Sequence, residues 1–165
     1  MIGWRPARAA ARIALIALLL AGCASLPPEK PVTSISDIAG EWSAHEVVVH
    51  CADSETNAAA RIRYVTAEPD PVVLAYDEAE WARRFDYHRH PLEPALAAVE
   101  AVRANTVVLL RRLPEEAWDC VGRHTGSGRY AAEDWLAIYA EHLEVHAGQI
   151  DANIAAWRAG PGKAT

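Results

Sequence analysis

The sequence has a single phenylalanine, a single methionine and three cysteines among its 165 residues. Three cysteines cannot staple a disulfide scaffold, and no two of them form a Cys-x-x-Cys pair. Basic residues are short as well: 16 Lys and Arg stand against 22 Asp and Glu, for a net charge of −6. With that balance and no basic stripe, nucleic acid is excluded as a partner. The glycine-rich stretch 122–128 is not followed by Gly-Lys-Ser/Thr, so it is no phosphate loop. No segment alternates convincingly as a strand, and there is no internal repeat or low-complexity run. What remains is a chain rich in Ala, Val and Leu that suits helices.

The N-terminus carries three arginines, Arg5, Arg8 and Arg12, and then the aliphatic run from Ile13 to Leu20. That run is too short to span a bilayer, and small residues follow it. Leu20-Ala21-Gly22-Cys23 resembles a lipobox, in which the signal is cut before a cysteine that is then acylated. The expectation is therefore an export signal over residues 1–22 and a lipid on Cys23. Pro27, Pro28 and Pro31 make residues 23–39 a tether, a bundle domain spans 40–158, and 159–165 form a tail. This places the protein in the cell envelope, anchored to a membrane. The rival reading makes residues 7–22 an uncleaved first helix and the protein cytoplasmic. Cys51 and Cys120 are left to pair or not.

Trp42-Ser43-Ala44-His45-Glu46-Val47 announces a helix: Ser43 is the N-cap, Glu46 its capping-box partner, and Trp42 and Val47 a hydrophobic staple. The helix should run from Ala44 to about Thr66, with Trp42, Glu46, His50, Asp53, Asn57 and Arg61 along a mostly inward stripe. Asp77-Glu-Ala-Glu80 opens a short helix through Arg84, and His88 and His90 follow in a polar loop. A further helix is expected over residues 92–113, stopped by Pro114, and the longest over 130–157. Long helices with short connections argue for an all-α, up-and-down bundle.

In the last helix Trp135, Tyr139, His142, His146, Ile150, Asn153 and Trp157 step by three or four residues and share one stripe. His142 and His146 lie one turn apart, which lets one helix offer two ligands to one ion. The zinc-protease pattern needs Glu directly after the first His; Leu143 stands there, so that pattern is excluded. A His pair at this spacing also occurs on ordinary helices, each ring bonded to a carbonyl or carboxylate. His50, on the inward stripe of another helix, is the candidate third ligand. His88 and His90 are candidates for substrate contact or extra ligation, against the plainer reading of solvated loop histidines.

Three pieces in order, Trp42-Ser-Ala-His-Glu-Val, His50-Cys-Ala-Asp-Ser-Glu55 and His142-Leu-Glu-Val-His146-Ala-Gly-Gln-Ile150, resemble the DinB/YfiT-like metal-binding superfamily. The resemblance implies a four-helix bundle holding a divalent metal through His50, His142 and His146. Some relatives are thiol-dependent transferases or isomerases, so it also implies a small-molecule substrate and a low-molecular-weight thiol. Three imidazoles around zinc, or around nickel, iron, copper or manganese, leave a position for water or a thiol. Glu46 and Asp53 are candidates to orient His50 or accept a proton. The alternative is a lipid-anchored metal-binding or interaction protein without catalysis. Relatives carry a complete helix before the Trp-Ser motif, where this chain has its signal-like stretch and prolines. The bundle's first helix is therefore expected to be replaced or atypical, and the exposed groove to be covered by a second copy in a homodimer.

Overall fold

The computed structural model describes residues 42–160. Helix α1, Ala44–Ala67, begins where the capping box predicts. Ser43 Oγ accepts from the Glu46 amide at 3.2 Å, and Glu46 Oε2 accepts from the Ser43 amide at 2.8 Å. Two of the orphan amides of the first turn are thereby satisfied reciprocally. Trp42 packs against the same core cluster as the buried Val47. The inward face is rotated from the expected one. Val47, His50, Cys51, Ser54, Glu55, Ala58, Ile62 and Val65 are buried, while Glu46, Asp53, Asn57 and Arg61 are only half-buried. Apolar area decides the helix's rotation, and the polar stripe is left to its flank.

After strand β1, Val72–Val73, helix α2 covers Glu78–Arg84 with Asp77 as N-cap, its carboxylate accepting from the Glu80 amide at 2.9 Å. A 3-10 turn at Tyr87–Arg89 leads to helix α3, Leu92–Leu110. Helix α3 ends three residues earlier than expected, because the Arg112 and Leu113 amides turn back onto the Leu109 carbonyl ahead of Pro114. Strands β2, Val121–His124, and β3, Gly128–Ala131, precede the long helix α4, Ala132–Ala159.

The strands correct the expectation of none. Strand β2 pairs antiparallel with β3 and parallel with β1 in a three-stranded sheet. Each strand is too short to carry an alternating pattern, and the turn conformation is set by Gly128 at φ +84°. Gly122 is required for another reason: a Cβ there would stand 2.8 Å from the Pro71 carbonyl oxygen. The sheet fastens the segment after α1 to the start of α4.

Helix α1 is the central element and packs on both α3 and α4. One core cluster gathers Ala58, Ile62 and Val65 with Val107, Leu110, Trp118, Trp135 and Tyr139; the other gathers Val47, Cys51, Tyr87 and Val99. Cys51 belongs to the second cluster and Cys120 borders the first, so no disulfide joins them. Among the described residues no helix is long and apolar enough to cross a membrane.

Ile62 is fully buried. Truncation to Ala should lower unfolding free energy by about 2–5 kcal/mol in a denaturant titration, from lost transfer energy plus the cavity left behind. A loss below about 1 kcal/mol would mean that the α1–α3–α4 contact is not the principal core.

Candidate metal centre

His50 comes from the second turn of α1, and His142 and His146 from successive turns of α4. The packing of α4 along α1 brings them together. Their ring centroids are 5.7 Å apart for His50 and His142, 4.8 Å for His50 and His146, and 4.6 Å for His142 and His146. One potential ligand atom from each of the three lies within 4.8 Å of the others. Nitrogens sharing a tetrahedral zinc with bonds of 2.0–2.1 Å stand roughly 3.4 Å apart, so modest ring rotation would close the site on an ion.

Two of the rings are held by a hydrogen bond on one nitrogen. His142 Nδ1 donates to Glu55 Oε1 at 3.0 Å, which fixes the tautomer and leaves Nε2 with a lone pair. That lone pair is met by the Ser54 hydroxyl at 3.1 Å. His146 Nδ1 lies 3.0 Å from Gln149 Oε1, to which it donates. His50 is different. Its Nδ1 is buried and has no hydrogen-bond partner, and the ring is only 2% exposed beneath Trp42, whose ring centroid lies 4.6 Å away. Leaving a buried polar nitrogen unmet costs about 1–3 kcal/mol, a cost a cation at this point would remove.

Burial pushes the His50 pKa down to about 3, with help from the neighbouring His146 and His142. Burial also lowers His146, against the opposing effect of Gln149. Both rings are therefore neutral near pH 7 and can donate electron pairs. The residues present fit a divalent ion.

Behind His142 lies a chain of charge that sequence reasoning did not assemble. Glu55 is 3% exposed, and Arg103 of α3 donates to its Oε1 through Nη2 at 2.7 Å. Arg103 Nε sits 2.5 Å from the other oxygen, close enough for an ion pair but not aligned as a hydrogen bond. Arg103 was legible only as an inward position of α3, and Glu55 only as part of a motif.

The proposed orienting acids are engaged elsewhere: Glu46 closes the helix cap, and Asp53 accepts from the Tyr87 hydroxyl. His88 and His90 are exposed and stand outside the three-histidine group; the His90 carbonyl accepts from His45 Nε2 at 2.7 Å. Cys23 and the boundaries drawn at residues 22 and 39 lie outside the described residues, and α4 runs one residue past the boundary drawn at 158.

A search of known proteins adds independent findings. The sequence profile of the DinB superfamily matches residues 3–150. A protein of Oceanobacillus iheyensis, described provisionally as a metal-dependent hydrolase, is 35% identical over 111 residues, 67% of this chain. That match spans 64% of the relative's own length, just under two thirds. A protein of Geobacillus thermodenitrificans with the same description is 33% identical over 133 residues, 80% of this chain and 74% of the relative. Among solved structures, YfiT from Bacillus subtilis, a four-helix bundle, aligns with a TM-score of 0.73 and 21% identity, over 96% of this chain and 91% of its own. At that identity the likeness concerns the fold: all-α, a four-helix bundle of the YfiT kind.

These matches overturn the envelope assignment. The profile begins at residue 3, inside the stretch read as an export signal, and the structural likeness takes in 96% of the chain. The arginine-led aliphatic run therefore lies within the span of the family match, and the reading of the chain as a membrane-anchored lipoprotein is corrected on that ground. The expected homodimer gains no support from these matches. By the extent of the profile match and the identity to its relatives, this chain belongs to the DinB superfamily.

Proposed function

We propose that His50, His142 and His146 hold a divalent metal ion and that the centre serves the hydrolysis of a small molecule. The observation that carries the metal-binding part is the partnerless buried nitrogen of His50, on a ring packed against two imidazoles. The hydrolytic part is supported by the descriptions of the relatives as metal-dependent hydrolases. Thiol transfer or isomerisation with a low-molecular-weight thiol is supported by the family resemblance alone. Neutral imidazoles suit zinc first, and nickel, copper or iron as well.

A divalent ion here would supply Lewis acidity, which makes water nucleophilic near neutral pH and polarises a substrate carbonyl. The chain's own residues prepare for it. Glu55 accepts the His142 Nδ1 proton and so keeps Nε2 available. Gln149 does the same for His146. Arg103 holds the Glu55 carboxylate in place, and Trp42 shields the His50 side from water. Ser54 would release His142 Nε2 on metal uptake, leaving a hydroxyl at the edge of the centre.

Elemental analysis of the purified protein should find about one equivalent of a divalent metal, and His50→Ala, His142→Ala and His146→Ala should each lose it. Metal at 100 times its Kd should stabilise the wild type by about 2.7 kcal/mol over chelated protein in thermal melts. A triple-alanine variant that retains a full equivalent would place the metal elsewhere. Reconstituted protein should hydrolyse members of an ester and amide panel that chelated protein leaves intact; a loaded but inert protein would leave binding without catalysis.

Glu55→Gln should weaken metal affinity about 10- to 100-fold, the usual consequence of losing the partner of a ligating histidine. Isothermal titration with zinc measures it, and Glu46→Gln is the comparison. Equal affinities for the two variants would remove Glu55 from the centre.

A further inference from the structure

One half-buried cation lies close to the histidine centre with no counter-charge among the described residues. Arg61 emerges from the third turn of α1 after His50, and among the described residues no carboxylate lies within ion-pair distance of it. An arginine never sheds its proton, so this charge is permanent. Its Nη2 donates to the Leu74 carbonyl at 2.6 Å, while Nη1 reaches the Tyr139 hydroxyl only at 3.5 Å. The guanidinium carbon sits 5.6 Å from the centre of the Tyr76 ring.

Three tyrosine hydroxyls surround this cation. Those of Tyr76 and Tyr130 are buried and make no hydrogen bond that satisfies distance and angle. Burial pushes Tyr76 up to about 12 and raises Tyr130 as well, so both remain protonated donors. A permanent cation among under-used hydroxyl donors is complementary to an anion. The nearby acids do not fill that role. Glu78, whose charge reaches Tyr76, is exposed, and Asp134 is taken by Arg129 and the Ala131 amide.

The group adjoins the metal centre. Tyr139 stands one turn before His142 on α4, with ring centroids 5.3 Å apart, and Ser54, which meets His142 Nε2, also influences the Tyr76 and Tyr139 hydroxyls. A ligand held at Arg61 could thus extend past the Tyr139 ring to the histidines.

We propose that Arg61, with the hydroxyls of Tyr76, Tyr130 and Tyr139, is a subsite for a carboxylate, so that the protein acts on small organic acids. A carboxylate matches one guanidinium fork and neutral donors, whereas a phosphate dianion would need more positive charge than this net-negative chain places there. The proposal rests on the metal-centre reading for its chemistry, but binding of the carboxylate needs no ion.

The test titrates full-length protein, metal-loaded and chelated, with benzoate, with benzyl alcohol as the uncharged counterpart, and with inorganic phosphate, by calorimetry. Benzoate should bind both forms of the wild type. Arg61→Gln should weaken it about ten-fold or more, the worth of a charge-assisted hydrogen bond. Arg61→Lys, which keeps the charge and loses the fork, and Tyr139→Phe should each weaken it by a smaller factor; they carry the comparison if Arg61→Gln does not fold. Benzyl alcohol should not distinguish the variants. Benzoate binding only to loaded protein, unchanged by Arg61→Gln, would send the carboxylate to the ion and overturn the subsite while leaving the metal centre intact. Arg61-dependent binding of phosphate in place of benzoate would overturn the carboxylate assignment. Absence of benzoate binding to either form would overturn the subsite outright. Arg61-dependent binding by chelated protein would uphold it even if the histidine variants kept their metal.

Discussion

A single buried carboxylate ties three helices together. Glu55 on α1 meets Arg103 on α3 and His142 on α4, and neither Glu55 nor Arg103 has appreciable access to water. Ionised groups in such a place lose several kcal/mol each of hydration, which only close pairing and hydrogen bonds restore. Removing one partner of such a pair costs roughly 3–5 kcal/mol, so the three helices are not free to rotate or slide past one another. The same carboxylate chooses the tautomer of His142. Helix registration and ligand preparation are therefore one interaction, and His50 meets His146 because Glu55 meets both of its partners.

Two further bonds hold α4 in register along α1. Near one end the Trp135 indole nitrogen donates to the Ala58 carbonyl at 2.8 Å, and near the other the Asn153 amide donates to the Trp42 carbonyl at 2.9 Å. The histidines lie between these two points. A shift of one helical turn would move a side chain by about 5.4 Å, enough to dissolve a group whose ligand atoms are now within 4.8 Å.

Much of this was legible in the sequence because it is local. The capping box at Ser43 and the N-cap at Asp77 depend on neighbours within one turn, and they stand where expected. The one-turn spacing of His142 and His146 is local too. What escaped depends on other elements. Nothing near Glu55 distinguishes it from Asp53, two residues earlier; only the rotation of α1, set by Val47, Ala58, Ile62 and Val65, turns one inward and the other aside. An inward Arg103 on α3 makes sense only through its partner on another helix, Glu55. The strands are too short to alternate and exist because Pro71 and Val73 carbonyls accept from the Arg123 and Thr125 amides. The N-terminal misreading is of another sort. Arginines followed by a short aliphatic run and small residues fit an export signal as well as a segment of a bundle, and composition cannot separate them; the family profile takes in this run from residue 3 onward.

Burial across the three histidines runs in one direction. His50 is 2% exposed and roofed by Trp42, whereas His142 and His146 are half-buried, and α4 beyond Tyr139 and Ala140 has few buried residues. The closed side removes water from the ligand that most needs to stay neutral. A structural metal site is closed on all sides, while one that exchanges a ligand needs an opening beside fixed donors. This centre has one ring sealed in the core and two on a partly exposed helix face. Among the described residues, that asymmetry is what an ion at this point would need in order to keep one position exchangeable.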